Sequence, residues 1–261
     1  MTDKKFLDQK MDRREFLKKA GIGGAGLALG LSGASAFFAN QDSSTKKALD
    51  GDEDISFFGK HQAGITTPMQ KACYLVVLDL HTTDKKEVIQ LFKDWTDYSS
   101  KLVEGELVKK DGSNALLPPT DTGETVGLNP YRLSLTFGVS ADFLKKLGLE
   151  SKRPKLFRDL PPFPKEQLQD KYTGGDIVIQ ACADDEQVAF HAVRNLIRKG
   201  RNKITMKWSK SGFAAIGDRK ETPRNLFGFK DGTANVTKEK EFDKVVWADS
   251  KDCLLYTSDA A

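Results

Sequence analysis

Two stretches of the chain alternate strand-like and helix-like periodicity in the same order, and this repetition limits the fold more than any other feature. Ala72 to Leu80 is a nearly continuous apolar run bounded by polar residues, the pattern of a buried strand. Val88, Leu91, Phe92 and Trp95 then recur at helical spacing, with Asp84 and Glu87 placed as a capping box. Leu133, Leu135 and Phe137 alternate as a half-buried strand, and Ser140 caps a short helix through Phe143, Leu144 and Leu147 that Gly148 stops. The second unit starts with a strand at Asp176 to Ala183. It continues with a helix capped by Asp184 and Gln187, whose Val188, Ala192, Val193, Leu196 and Ile197 form one apolar face before Gly200. Ile204, Met206 and Trp208 alternate as the closing strand. The order is strand–helix–strand twice, with an insertion between the halves at Lys152 to Gly175, a loop punctuated by proline and glycine. It predicts an α+β fold of the ferredoxin-like split type.

The stretch Asn225-Leu226-Phe227-Gly228-Phe229-Lys230-Asp231-Gly232-Thr233-Ala234-Asn235 contains a Gly-x-x-Asp-Gly core. Gly228 and Gly232 can take positive φ and let a flat ligand approach the backbone, while Asp231 is presented between them with little steric cover. A five-residue pattern of this kind reads equally as an ordinary Asp-Gly turn and as a carboxylate placed to shuttle a proton.

The eleven-residue context resembles the distal haem-pocket motif of the dye-decolourising (Dyp-type) peroxidases, in particular their exported iron-transport branch of deferrochelatase/peroxidases. Gly59-Lys60-His61-Gln62-Ala63-Gly64-Ile65-Thr66-Thr67-Pro68, Gln180 to Asp185 and Phe190 to Leu196 resemble that branch as well, so the likeness runs from about Phe57 to Trp247. The resemblance implies ferredoxin-like units forming a dimeric α+β barrel, with the first unit present at 55–224 and a second, truncated haem-binding unit beginning at 225–252. It implies haem b as cofactor, Asp231 as the catalytic acid-base residue, and Gly232, Thr233 and Ala234 lining the haem. It further implies hydrogen peroxide and haem or an organic reductant as substrates, a homo-oligomer when complete, and a link to membrane components of iron uptake. The alternative of another class is an exported haem- or iron-binding protein without turnover. In the family the proximal histidine and the distal arginine lie beyond this point of the chain, so neither is assigned here.

The N-terminus reads as a twin-arginine export signal: Arg13 and Arg14 in Asp12 to Lys18 precede a Gly/Ala-rich apolar run from Ala20 that ends in Ala34-Ser35-Ala36. The run is short for a membrane span, which needs about 20 apolar residues, so cleavage after Ala36 is expected, with an uncleaved anchor as the alternative. Gly21 to Gly26 matches Gly-x-Gly-x-x-Gly, but no strand precedes it and it is set aside as a dinucleotide site. Segment 37–54 reads as a linker. The twin-arginine translocation machinery exports folded proteins, which suits a cofactor inserted in the cytoplasm and a periplasmic, extracellular or cell-envelope location.

The net charge is +4, and the leader holds seven Lys/Arg against four Asp/Glu, so only +1 remains for the rest of the chain. That leaves no basic excess for nucleic acid. Cys73 and Cys182 lie in strand-like runs and are expected as small buried apolar residues. Among the three histidines, His191 is expected on the polar side of its helix beside Arg194, His81 at a strand end and His61 before a glycine turn; no pair has metal-site spacing. Residues 253–261 break the preceding pattern and resemble translated sequencing adaptor, so the sequence is expected to be a gene fragment.

Overall fold

The computed structural model describes residues 55–109, 118–154, 157–214, 224–230, 232, 234–236 and 238–247. Strands β1 (Ala72–Leu80), β2 (Ser134–Val139), β3 (Ile177–Ala183) and β4 (Ile204–Phe213) form one sheet in the order β2-β3-β1-β4. All three pairings are antiparallel. Helix α1 (Lys85–Val103) crosses from β1 to β2, α2 (Ala141–Lys146) follows β2, α3 (Glu186–Gly200) crosses from β3 to β4, and α4 (Glu239–Val245) follows the sheet. A strand order in which the two β–α–β crossovers interleave is that of the ferredoxin-like split unit, so the α+β expectation holds.

One face of the sheet builds the core because its alternate residues are apolar. Val76, Leu78 and Leu80 of β1 and Ile177, Ile179, Ala181 and Ala183 of β3 are buried against Val88, Leu91, Trp95 and Leu102 of α1 and Val188, Ala192, Val193 and Leu196 of α3. Trp95 fixes the two helices to each other, since its indole N–H donates to the Leu196 carbonyl at 2.8 Å inside this core. Burying side chains of this size stabilises by about 1.5–3 kcal/mol each. Among the described residues no helix is long and apolar enough to cross a membrane.

The helix starts obey local chemistry with two corrections. Asp84 caps α1 and accepts from Lys86 N at 2.8 Å, but Glu87 does not close the capping box. Its carboxylate instead takes the Thr82 hydroxyl at 2.5 Å, and Thr82 Oγ1 accepts from Asp84 N at 3.2 Å, so threonine mediates the return contact. The cap of α3 is Asp185 rather than Asp184: Asp185 Oδ1 accepts from Gln187 N and Val188 N. Asp184 is held elsewhere, by the Arg132 guanidinium at 3.0 Å and by Lys71 N at 3.1 Å. Ser140 caps α2 as expected, and Gly148 follows it at φ 60°.

The closing strand does not keep one alternation. A bulge between Val77 and Leu78 pairs Leu78 with Met206 and Val77 with Trp208, so one β4 residue is unmatched. Ile204 is buried with the helices, whereas Trp208 falls on the opposite face beside Val77, because one extra residue in a strand reverses every side chain after it.

Candidate functional site

Residues 224–230, which include the first half of the Gly-x-x-Asp-Gly stretch, form a tight, solvent-facing bend organised by Asn225. Its Oδ1 accepts from Phe227 N and Phe229 N at 3.1 Å each, and its backbone N–H donates to the Phe229 carbonyl at 2.8 Å. Arg224 pairs with Lys230 in an isolated antiparallel bridge, and its guanidinium donates to the Gly228 carbonyl at 2.7 Å. Gly228 sits at φ 84° and Gly232 at φ 71°, the left-handed conformation for which glycine is required here. Gly232 and Ala234 are exposed; Asp231 and Thr233, with Arg13 and Arg14, lie outside the described residues. Leu226, Phe227 and Phe229 are 88%, 87% and 70% exposed, so two aromatic rings and a leucine stand around the glycines without cover. Such a bend is suited to forming one wall of a site for a flat apolar group. Asn225 and Arg224 were not singled out in the sequence, although an Asn three residues before a glycine is a recognisable signal for a side-chain-capped turn.

The 59–68 segment packs against the residues that follow the bend. His61 stacks on Trp247 with ring centroids 3.6 Å apart and 3° between planes, and Lys60 pairs with Asp243 of α4 at 3.9 Å. Gln62 then lies along β2, donating its side-chain N–H to the Phe137 carbonyl at 3.0 Å and accepting from Phe137 N at 2.9 Å. The carboxamide thus reproduces the pairing that another strand would give. Gly64, at φ 94°, leaves no space for a Cβ, which would run into the Thr136 side chain. The resembling stretch 59–68 is therefore joined, through Lys60 and His61, to α4 and Trp247, which follow the bend.

His191 is not on a polar helix side. It is 1% exposed, with Nδ1 2.6 Å from Glu124 Oε2 and Nε2 3.5 Å from Asp121 Oδ1. Glu124 also meets Arg194 at 2.5 Å, and Asn195 ties in Thr122 through both its amide atoms. Burial pushes the Glu124 carboxyl up, but hydrogen bonds from Thr122, His191 and its own backbone, with the Arg194 charge, outweigh it and hold it at about 2. The cluster clamps the 121–124 loop onto α3. His81 is also engaged, with Nε2 2.5 Å from Thr205 Oγ1. Among the described residues no group of three or more His, Cys, Asp or Glu is arranged to hold a metal ion. Cys73 and Cys182 are half-buried, not core residues, and stand opposite each other in the β1–β3 ladder.

The family model for the N-terminal domain of Dyp-type peroxidases matches residues 62–214, and the model for their C-terminal domain matches residues 222–256, reaching into the terminal segment 253–261. The chain belongs to the Dyp-type peroxidase family. It is 35% identical over 243 residues to a deferrochelatase of Escherichia coli O157:H7, covering 90% of this chain and 57% of that relative. It is 37% identical over 200 residues to a deferrochelatase of Yersinia pseudotuberculosis, covering 73% and 45%. Among solved structures, a Dyp-type peroxidase of Streptomyces coelicolor superposes with TM-score 0.69 at 35% identity, over 77% of this chain and 54% of that one. The oxyferrous complex of DtpA from Streptomyces lividans superposes with TM-score 0.70 at 34% identity, over 78% and 54%. The chain thus spans roughly half the length of these Dyp-type relatives.

Proposed function

We propose that the whole protein to which this chain belongs is a haem-dependent peroxidase, exported by the twin-arginine pathway, that reduces hydrogen peroxide and oxidises a second substrate. The tandem match of both Dyp-type models carries this reading, because the second spans the complete bend from Asn225 to Asn235. The residues present fit haem on one side: exposed Phe227 and Phe229 offer an apolar wall, and Gly232 and Ala234 bring backbone, not bulk, to its edge. Haem supplies the iron chemistry that splits the peroxide O–O bond. Asp231 takes a proton from one peroxide oxygen and returns it to the other, so that water leaves. Gly228 and Gly232 flank it in sequence without side chains, and the hydrogen bonds of Asn225 hold the first half of the bend in place.

The deferrochelatase relatives extend the proposal to release of iron from haem, coupled to membrane components of iron uptake. The test uses the full-length protein loaded with haem. A rapid peroxide-dependent change of the haem absorption spectrum with steady dye oxidation is expected, whereas a static spectrum would indicate a haem carrier. Export rests on Arg13 and Arg14. Cells making the Arg13→Lys/Arg14→Lys variant are expected to retain the protein in the cytoplasm, as read by fractionation, and unchanged export would remove the signal assignment.

A further inference from the structure

Two sulfurs with no part in the haem chemistry face each other near one end of the sheet. Cys73, the second residue of β1, is the direct ladder partner of Cys182, the next-to-last residue of β3. Directly opposed residues of an antiparallel pair project from the same face with Cβ atoms about 4.5–5.5 Å apart, and a disulfide needs about 3.5–4.5 Å. The shift required is small, and the pair lies one step from the end of its ladder, on two inner strands where Cys73 also faces Gly212 of β4 and Cys182 faces Ser134 of β2.

The two thiols already interact. The neighbouring Cys182 thiol holds Cys73 below its ordinary value against the upward push of burial, and Cys73, with burial, pushes Cys182 up. Cys73 is the more readily ionised of the two. Access is present as well. Cys73 is half-buried rather than sealed in the core. Its β4 neighbour in the ladder is Gly212, which has no side chain to cover the sulfur.

We propose that Cys73 and Cys182 are a redox pair in which a hydroperoxide oxidises Cys73 and Cys182 closes a disulfide across β1 and β3. The Cys73 thiolate attacks a peroxide oxygen, the O–O bond breaks, and the departing hydroxide or alkoxide takes up a proton while Cys73 becomes a sulfenic acid. Cys182 then gives up its proton and attacks the Cys73 sulfur. The S–O bond breaks and hydroxide leaves as water. For hydrogen peroxide, two thiols and one peroxide give one disulfide and two waters, the two electrons lost by sulfur reducing the oxidant. A bond closed between strands in register departs from relaxed disulfide geometry, which makes it readily reduced and hence reversible.

The bond would fasten the strand end that seats the N-terminal segment. Gln70 reaches the Cys182 carbonyl at 3.5 Å and Ser134 Oγ at 2.7 Å, and Asp184 holds Lys71 N and Arg132. The pair needs no haem, so this inference stands apart from the peroxidase reading.

The experiment treats the reduced, haem-free chain with stoichiometric hydrogen peroxide, in a Cys253→Ser background, and maps tryptic peptides without reductant. Peptide 72–85 linked to peptide 172–194, released by dithiothreitol, is the expected product. In Cys182→Ser a sulfenic acid trapped by dimedone is expected at Cys73, and in Cys73→Ser none at Cys182. Before oxidation, iodoacetamide is expected to label Cys73 about tenfold faster than Cys182, since the thiolate is the nucleophile. The proposal is overturned if the two peptides are recovered unlinked after peroxide, whether as intact thiols or with Cys73 carried on to sulfinic acid. It is overturned equally if the linkage forms in the same yield in guanidinium, because the native register would then play no part.

Discussion

Replacing Asp231 by asparagine keeps the shape of the side chain and removes its basicity. In the haem-loaded full-length protein Asp231→Asn is expected to retain haem and to slow peroxide cleavage by about 10²–10⁴-fold, the usual contribution of a positioned acid-base group. Stopped-flow absorbance measures it, and a wild-type rate would reduce Asp231 to a turn residue. Glu124 is a carboxylate of the opposite kind, committed to structure by His191 and Arg194. Its folded value of about 2 lies below the ordinary 4.5, so its contribution to stability is complete above about pH 4.5 and is lost as pH falls toward 2. Glu124→Gln is expected to melt lower than wild type at pH 7 and to lose less on acidification, as measured by melting temperature between pH 7 and 2. The two carboxylates were not equally visible in the sequence. Asp231 stands between glycines that announce it locally, whereas Glu124 acquires its meaning from His191, 67 residues away. The same distance hid His191 itself, because a histidine next to an arginine on a helix looks solvent-facing until a loop folds over it.

At the level of elements, periodicity read the helix faces well because burial of α1 and α3 follows a 3.6-residue stripe contained within each segment. The failures came where a second partner chose between neighbours. Asp184 and Asp185 are equally good caps in sequence, and Arg132 draws Asp184 away. Asp185→Ala is therefore expected to cost about 1 kcal/mol through the lost cap, with faster amide exchange confined to Gln187 and Val188. Asp184→Ala should leave those two amides protected and loosen the contact of Arg132 and Lys71 instead. Denaturant titration with residue-resolved exchange separates the two, and a shared pattern would contradict the capping assignment. The bulge in β4 was equally hidden, since an unmatched residue leaves no mark on a run whose apolar members still alternate.

For the molecule as a whole, His81 and His191 already commit ring nitrogens, to Thr205 and to the carboxylate clamp, and the His61 ring is stacked flat on Trp247 with its Nε2 buried. A protein of residues 37–261 mixed with haemin is accordingly expected to show no histidine-ligated haem spectrum and no dye oxidation above free haemin. Stoichiometric ligation with turnover would mean that one of these contacts opens. The exposed Leu226, Phe227 and Phe229 also predict low solubility for that protein, since uncovered apolar surface of this kind promotes association. The ferredoxin-like order and the bend were both legible because each is written in short-range pattern. The contact between the 59–68 segment and Trp247, made by one imidazole on one indole, was not.

The carboxamide of Gln62 on β2 gives the sheet a direction. With Phe137 on that edge paired to a side chain imitating a strand, β4 is the edge without such a partner among the described residues. Lys207 and Lys210 lie along that strand, one beside Asp79 and the other over the Tyr172 ring. Charge at an open edge discourages indefinite stacking. Growth of this sheet by strand addition is therefore opposed at both described edges, at β2 by the Gln62 carboxamide and at β4 by lysine charge.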